Sequence, residues 1–289
     1  MVGGYGISIL ILKQRSTRFN AMNKYVTFIA LLGVLLFSCK KEEKTVPTYD
    51  ENKIGYITIK FDSQVGELNL VPDSPFYTTP LNQKYSISKF SYFVSNIVFV
   101  KQDSSTYAIS RDSSYFLVQE NVGSSKILKL RVPEGDYIKV RFDIGIDSST
   151  SVSPLNTRVD ALNPNGAAAN MYWDPSKGYI FMNIEGTYRD LLSSNSAMHP
   201  YQFQIGGYGP TLNNLRTAEV DFRDYVASVR QSKGYLWPEV HIYVDAGKVF
   251  SGTTNIDFTQ NDTIGFIPYS LDASRNYVDM FTLAHVHDE

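Results

Sequence analysis

The chain has too few cysteines for an internal cross-link and no large excess of charge of either sign. Cysteine occurs once in 289 residues, so no intramolecular disulfide can form. Lysine and arginine number 27 against 29 acidic residues, with no basic cluster. Because nucleic-acid binding needs clustered cations, we expect no nucleic-acid partner. There is no nucleophile elbow, and the glycine-rich segment GGYGPTLNN at 206–214 precedes no helical pattern, which disfavours a phosphate-binding loop.

A short apolar segment near the start predicts export. From Met22 the chain reads MNKYVTFIALLGVLLFSC, in which an apolar run follows Lys24. The run is shorter than the ~20 residues of a membrane-spanning helix, and its positive start is typical of a secretory signal. The residues LFSC at 36–39 resemble a lipobox, which predicts cleavage before Cys39 and acylation of that cysteine. We therefore interpret residues 1–39 as a lipoprotein signal peptide whose true start is Met22.

The segment that follows is interpreted as a flexible tether. Residues 40–53, KKEEKTVPTYDENK, are charged and show no periodicity. A charged stretch after an acylated cysteine resembles the surface-export signals of Bacteroidota lipoproteins. We expect an outer-membrane lipoprotein on the periplasmic or cell-surface face, held to the membrane by its N-terminal lipid anchor. Loss of residues 1–39 removes four basic residues, and 23 against 29 leaves a net charge of −6.

Residues 54–289 predict a single all-β domain. Apolar and polar residues alternate in KILKLRV, in DYIKVRFDIGI and in EVHIYVD, as in strands that bury one face. Helical patterns are limited to 221–231 and 271–281. The pattern predicts an antiparallel β-sandwich with long loops and one or two short helices. The longest stretch without strand period is 146–178, and loops of that length are usually functional or disordered.

Six segments, taken in order, resemble the MbnP-like copper-binding protein family. The segments are IKFDSQVGELNL, YSISKFSYFVSNIVF, FDIGIDSS, NMYWDPSKGYIFMNIEG, FQIGGYG and YVDMFTLAHVHDE. The resemblance covers nearly the entire mature chain. It implies an exported protein that holds copper through histidines and a tryptophan-derived kynurenine. It also implies a di-haem cytochrome c peroxidase-like partner that oxidises the tryptophan.

The family's motif positions are only partly kept. Met171 and Trp173 match, whereas Ser63 and Gln204 stand where the family has histidines, and Pro175 replaces a second tryptophan. Serine and an amide oxygen are poor partners for soft Cu(I), which predicts weak Cu(I) binding by the unmodified protein. If copper is held, the resemblance places Trp173 at the site, with Met171 and Gln204 as possible supporting residues.

His285 and His287 complete the predicted metal site. Residues two apart in an extended chain project from one face, so HVH can present two imidazoles to one ion. The alternative for this pair is solvated histidines near the end of the chain. His241, on the polar face of EVHIYVD, and His199, in a loop, are interpreted as ordinary surface residues.

Two further alternatives remain open from sequence. The alternative for Trp173 is a residue that caps the end of the sandwich core by packing its ring, with the indole N–H hydrogen-bonded. The acids Asp143, Asp147, Asp160 and Asp174 lie in or beside the long loop and could surround calcium, although their spacing matches no known calcium loop.

Two functional hypotheses follow, and both describe a binding protein and not an enzyme. The first is a metal-handling lipoprotein whose site contains Trp173 and histidines. The second is a surface lipoprotein whose sandwich binds a glycan, peptide or partner protein without metal. No pair of carboxylates and no serine–histidine–aspartate set is singled out by the sequence.

Replacing Cys39 tests the lipid anchor. The variant Cys39→Ala removes the only sulfur that can be acylated, so the protein should leave the membrane fraction. Incorporation of a fatty-acid probe should fall to background in the same cells. Membrane association equal to that of the wild type would contradict the lipoprotein interpretation.

Overall fold

The computed structural model describes residue 50 and residues 52–193, 197–231 and 237–287. Cys39, the interpreted signal peptide and most of the tether lie outside the described residues. The segment Tyr49–Glu289 groups as one compact unit. Among the described residues, every helix is too short or too polar to cross a membrane.

The smaller of the two sheets has five strands, in the order β16-β14-β1-β2, with β7 also paired to β1. Its strands are β1 (Ile54–Val65), β2 (Leu68–Asn69), β7 (Ile127–Pro133), β14 (Glu239–Asp245) and β16 (Phe281–His287). β1 and β14 run parallel, and Lys60 lies opposite His241. β16 is antiparallel to β14 and has no further strand beside it within the described ranges.

The larger sheet has eleven strands, in the main order β12-β8-β4-β10-β11-β15. These strands are β4 (Gln83–Lys101), β8 (Gly135–Ile144), β10 (Gly178–Asp190), β11 (His199–Gly206), β12 (Arg216–Asp221) and β15 (Thr263–Ile264). The shorter additions are β3 (Tyr77–Thr78), β5 (Thr106–Ala108) and β6 (Tyr115–Gln119) on β4, β9 (Tyr172–Asp174) on β10, and β13 (Ala227–Val229) on β8. All of these pairings are antiparallel except β11 with β15.

The two sheets face each other across one aromatic core. Phe61 and Phe281 from the smaller sheet meet Tyr92 and Phe142 from the larger sheet, with ring centroids of Phe61 between 5.8 and 6.1 Å from the other three. Edge-to-face contacts of this kind add to the burial of large apolar rings. The strict alternation of buried and partly exposed residues in β1 follows from this packing, because only one face of the strand meets the core.

A second apolar cluster covers the outer face of the larger sheet. Phe93 and Phe181 point away from the main core, since their neighbours Tyr92 and Met182 belong to it. The stretch 146–178 supplies Ile146, Ala168 and Met171 to this second cluster. The long segment is therefore a packed layer made of a single-turn helix, two 3-10 turns and β9.

The prediction of an all-β sandwich with few short helices is confirmed. The α-helices of the described residues are α1 (Ser148–Ser151) and α2 (Ser270–Asn276), accompanied by short 3-10 turns. The 221–231 segment is not α-helical, and its helical residues are those of the 3-10 turn Arg223–Tyr225 and Gln231. Ala227–Val229 within it form β13, because Ala227 and Val229 are buried in alternation against β8.

Truncating Phe61 should destabilise the fold strongly. The side chain is fully buried and touches rings from both sheets, so Phe61→Ala should lower the free energy of unfolding by about 3–5 kcal/mol. Urea unfolding followed by circular dichroism measures the change. Leu192→Ala is the matched control, because Leu192 is 76% exposed, and it should change stability by less than about 0.5 kcal/mol.

Candidate metal centre

The register between β14 and β16 brings three histidines to one surface. His241 lies directly opposite His285, and Glu239 lies opposite His287. Directly opposed residues in an antiparallel pair project from the same face of the sheet. The alternate residues Val240 and Ile242 belong to the core, so the histidines occupy the outer face of the smaller sheet. A bulge follows this region, where the register shifts between His241 and Ile242.

The three imidazoles are in contact. The rings of His241 and His285 stack with centroids 4.2 Å apart, and the ring of His287 stands edge-on to both. The Nε2 atoms of His285 and His287 are 3.0 Å apart. One ring nitrogen from each histidine lies within 4.8 Å of the other two. Nitrogens that bind one ion at about 2 Å are separated by about 3–4 Å, so small side-chain rotations suffice to surround an ion.

His241 is not the ordinary surface residue expected from the sequence. It lies on the outer face as the alternation predicts, but it is only 7% exposed. The imidazoles of β16 cover it on one side. Its Nδ1 is 3.0 Å from Asp62 Oδ2, and its Nε2 is 2.5 Å from Glu239 Oε1. His199, by contrast, lies at the start of β11 instead of in a loop, and it is exposed.

The environment favours a neutral imidazole at His285. Its pKa is lowered, first by partial burial and then by the like charges that His241 and His287 would place beside it. Only a neutral imidazole has a free lone pair for a metal ion. The close packing of the three rings therefore favours the form of His285 that can bind a metal ion.

Trp173 lies at a different place in the molecule. Its indole Nε1–H donates to Gln204 Oε1 at 3.1 Å, and its ring packs edge-on against Phe266. Gly206 makes room for the ring, because a β-carbon there would lie 2.8 Å from the indole and 2.3 Å from the carbonyl oxygen of Tyr179. The structure therefore brings Trp173 and Gln204 together, as the family motif implies. The ring covers the outer face of the larger sheet and does not cap the end of the main core.

Trp173 and the histidines do not form one site. Gln204 points away from the core that holds its neighbours Phe203 and Ile205, while His241 points away from the same core on the other sheet. Sheets that pack face to face are about 10 Å apart, so the whole core separates the two outer faces. A single ion cannot contact both sets of side chains.

The other predicted positions do not supply metal ligands near the histidines. Met171 is 1% exposed and packs in the second apolar cluster, which fits the gap-filling role common for methionine. Ser63 faces the core from β1, so it lies on the opposite side of the smaller sheet from His241. The position where the family has a histidine is here a small buried hydroxyl.

The four acids of the long loop region serve local structure and do not converge. Asp143 accepts hydrogen bonds from Asn96 and Thr217. Asp147 caps α1; burial alone would raise its pKa, but hydrogen bonds from Ser149, Tyr115 and Thr150 outweigh burial and hold the pKa at about 2. Asp174 accepts from the turn that follows it, and Asp160 begins a 3-10 turn. Within the described ranges, the histidine trio is the group of potential ligands that could surround an ion.

A large cleft lies elsewhere on the sandwich. It has a volume of about 1360 Å³ and runs beside β6 and β7, with the 149–162 region on one side. Its lining mixes exposed apolar residues such as Ile127 and Val159 with charged ones such as Arg131 and Asp160. The cleft contains none of the histidines, so it is a separate feature with room for an organic ligand.

Comparison with known proteins finds MbnP relatives of the chain. The MbnP family model matches residues 54–270, a range that includes Trp173, Gln204 and His241 but ends before β16. Among solved structures the chain is similar to MbnP from Methylosinus trichosporium, with 11% identity and a TM-score of 0.43. That match covers 71% of this chain and 83% of the other. No curated protein matches the chain.

Removing the acceptor of the indole N–H should weaken the second cluster. Gln204→Leu leaves the Trp173 N–H without its acceptor. The variant should lower the free energy of unfolding by about 1 kcal/mol, because the desolvation cost of the indole N–H is then no longer offset by a hydrogen bond. Gln202→Leu, an exposed position on the same face of β11, is the control. In a double-mutant cycle, Trp173→Phe should abolish most of the Gln204→Leu effect. Equal losses in both backgrounds, measured by urea unfolding, would contradict this hydrogen bond.

Proposed function

The chain belongs to the MbnP family, and from that premise we propose that it is an exported, lipid-anchored metal-binding protein that handles copper. The observation that carries this proposal is the contact of His241, His285 and His287 on one face of a rigid sheet. Imidazole is a ligand for copper and zinc, and strands hold ligands more firmly than loops do. The protein acts by binding and not by catalysis.

The residues present fit a copper ion in number and chemistry. Three imidazoles are a common ligand set for copper and zinc in proteins, and a further carboxylate lies beside His241. His285 is half-buried and His287 is exposed, which gives an ion a route from solvent. Asp62 and Glu239 are paired with the two ring nitrogens of His241, so its ring is already oriented.

The proposed location is the outer membrane, with Cys39 as the point of attachment. The lipobox and the charged tether support this location. A metal centre on an outward sheet face suits exchange with soluble partners or with small metal complexes.

A di-haem peroxidase-like partner is the second part of the proposal, and its target is Trp173. The indole is partly buried, is hydrogen-bonded, and lies across the core from the histidines. Oxidation there would not add a ligand to the histidine centre. Mass spectrometry of the exported protein measures whether Trp173 carries a kynurenine.

A metal titration tests the histidine centre. Residues 40–289 should bind about one copper ion per chain, and the joint change of His285 and His287 to alanine should weaken binding by at least about 100-fold, because two of three imidazoles are lost. Isothermal titration calorimetry with competing chelators measures the affinities. His199→Ala is the matched control, since it removes an exposed histidine from another strand and should leave binding unchanged.

Two results would contradict the proposal. Tight copper binding that ignores the double variant would move the site elsewhere, with Trp173 and Gln204 as the next candidate. Absence of binding by the wild type would favour the alternative function, in which the sandwich binds an organic partner without metal. The 1360 Å³ cleft beside β6 and β7 supports that alternative, because it offers both apolar and charged contacts.

A further inference from the structure

The geometry points to a divalent ion at the histidine centre, Cu²⁺ or Zn²⁺, with the carboxylate of Glu239 as fourth ligand. In this arrangement Asp62 does not touch the ion but holds the ring of His241. The inference rests on the proposed metal-binding function and deepens it by naming the charge state of the ion and the residue that selects it.

The order of the strands decides which nitrogen of His241 faces the other two histidines. β14 lies between β1 and β16. Asp62 belongs to β1, and it is paired with the Nδ1 atom of His241. Glu239 is paired with the Nε2 atom and lies opposite His287 on β16. Nε2 is therefore the nitrogen on the side of β16, and it is the one placed to share an ion with the other imidazoles.

The hydrogen bond that His241 Nδ1–H donates to Asp62 provides the carboxylate partner typical of a metal-ligating histidine. A carboxylate on the far nitrogen fixes the orientation and the tautomer of a ligating imidazole and makes it a stronger donor. Asp62 Oδ2 is 3.0 Å from Nδ1, which is a normal hydrogen-bond length. Asp62 is therefore a positioning residue, since it acts on the ion only through His241.

Glu239 is already within reach of the place that an ion would occupy. Its Oε1 lies 2.5 Å from Nε2 of His241. An ion bound to that nitrogen at about 2 Å would lie between the ring and this carboxylate and would replace the hydrogen bond between them. Side-chain exposure of 35% leaves the carboxylate free to adjust without disturbing the core.

The resulting donor set is three imidazole nitrogens and one carboxylate oxygen. Carboxylate oxygen is a hard ligand that favours a doubly charged ion, whereas soft Cu(I) prefers thiolate, thioether or imidazole alone. The sulfur of Met171 is buried in the second apolar cluster on the other sheet, so it does not reach an ion at the histidines. The carboxylate also offsets part of the charge of a divalent ion. The preference for divalent ions over Cu⁺ should therefore disappear when Glu239 is replaced by a neutral residue.

Paired variants separate ligation from positioning. Chelator-competition titrations with Cu²⁺, Zn²⁺ and Cu⁺ are carried out on residues 40–289 as wild type, Glu239→Gln and Asp62→Asn. We expect Glu239→Gln to weaken both divalent ions by at least about tenfold while the Cu⁺ affinity changes less than about twofold. Asp62→Asn should weaken all three ions together by about 10–100-fold, because it acts on His241 and not on the ion.

The outcomes distinguish this inference from the proposed function. Unchanged divalent affinity in Glu239→Gln, with binding still lost in the joint His285 and His287 variant, would overturn the role of Glu239 and leave the histidine centre standing. Failure of the wild type to bind any of the three ions would overturn both. If Glu239→Gln unfolds, Glu239→Asp replaces it. That variant keeps the carboxylate and should retain the preference for divalent ions, and loss of the preference would overturn the inference.

Discussion

The parallel pairing of β1 with β14 is the contact on which both the core and the histidine centre depend. Parallel neighbours require a crossover connection, and here that connection contains nearly the whole of the larger sheet. The pairing places Phe61 over the aromatic rings of that sheet. On the other face of the same strand it places Asp62 beside His241. One register thus sets the packing on one side and the orientation of a ligand on the other.

The sandwich keeps its two chemically distinctive regions apart. Trp173 with Gln204 lies over the outer face of the larger sheet, and the three histidines lie on the outer face of the smaller sheet. Because the packed core lies between the two regions, a substitution in one region does not alter the hydrogen bonds of the other. The range that the MbnP family model matches ends before β16, the strand that carries His285 and His287.

The carboxylates of Asp62 and Glu239 determine the orientation of the His241 ring. Hydrogen bonds to both nitrogens satisfy a ring that is almost fully buried, so that its burial does not cost an unmet polar group. The same bonds orient the ring before any ion arrives, and this reduces the ordering needed on binding.

Periodicity in the chain was enough to predict several strands and the buried side of each. Alternation in KILKLRV and in EVHIYVD assigned the core-facing residues correctly, because the period of two follows from strand geometry alone. It also put His285 and His287 on one face. That His241 joins them could not be predicted from the chain alone, since this depends on which strands become neighbours and in what register. For the same reason, the separation of Trp173 from the histidines was decided by the packing of two sheets, because short-range periodicity contains no information about which outer face a residue shares with another.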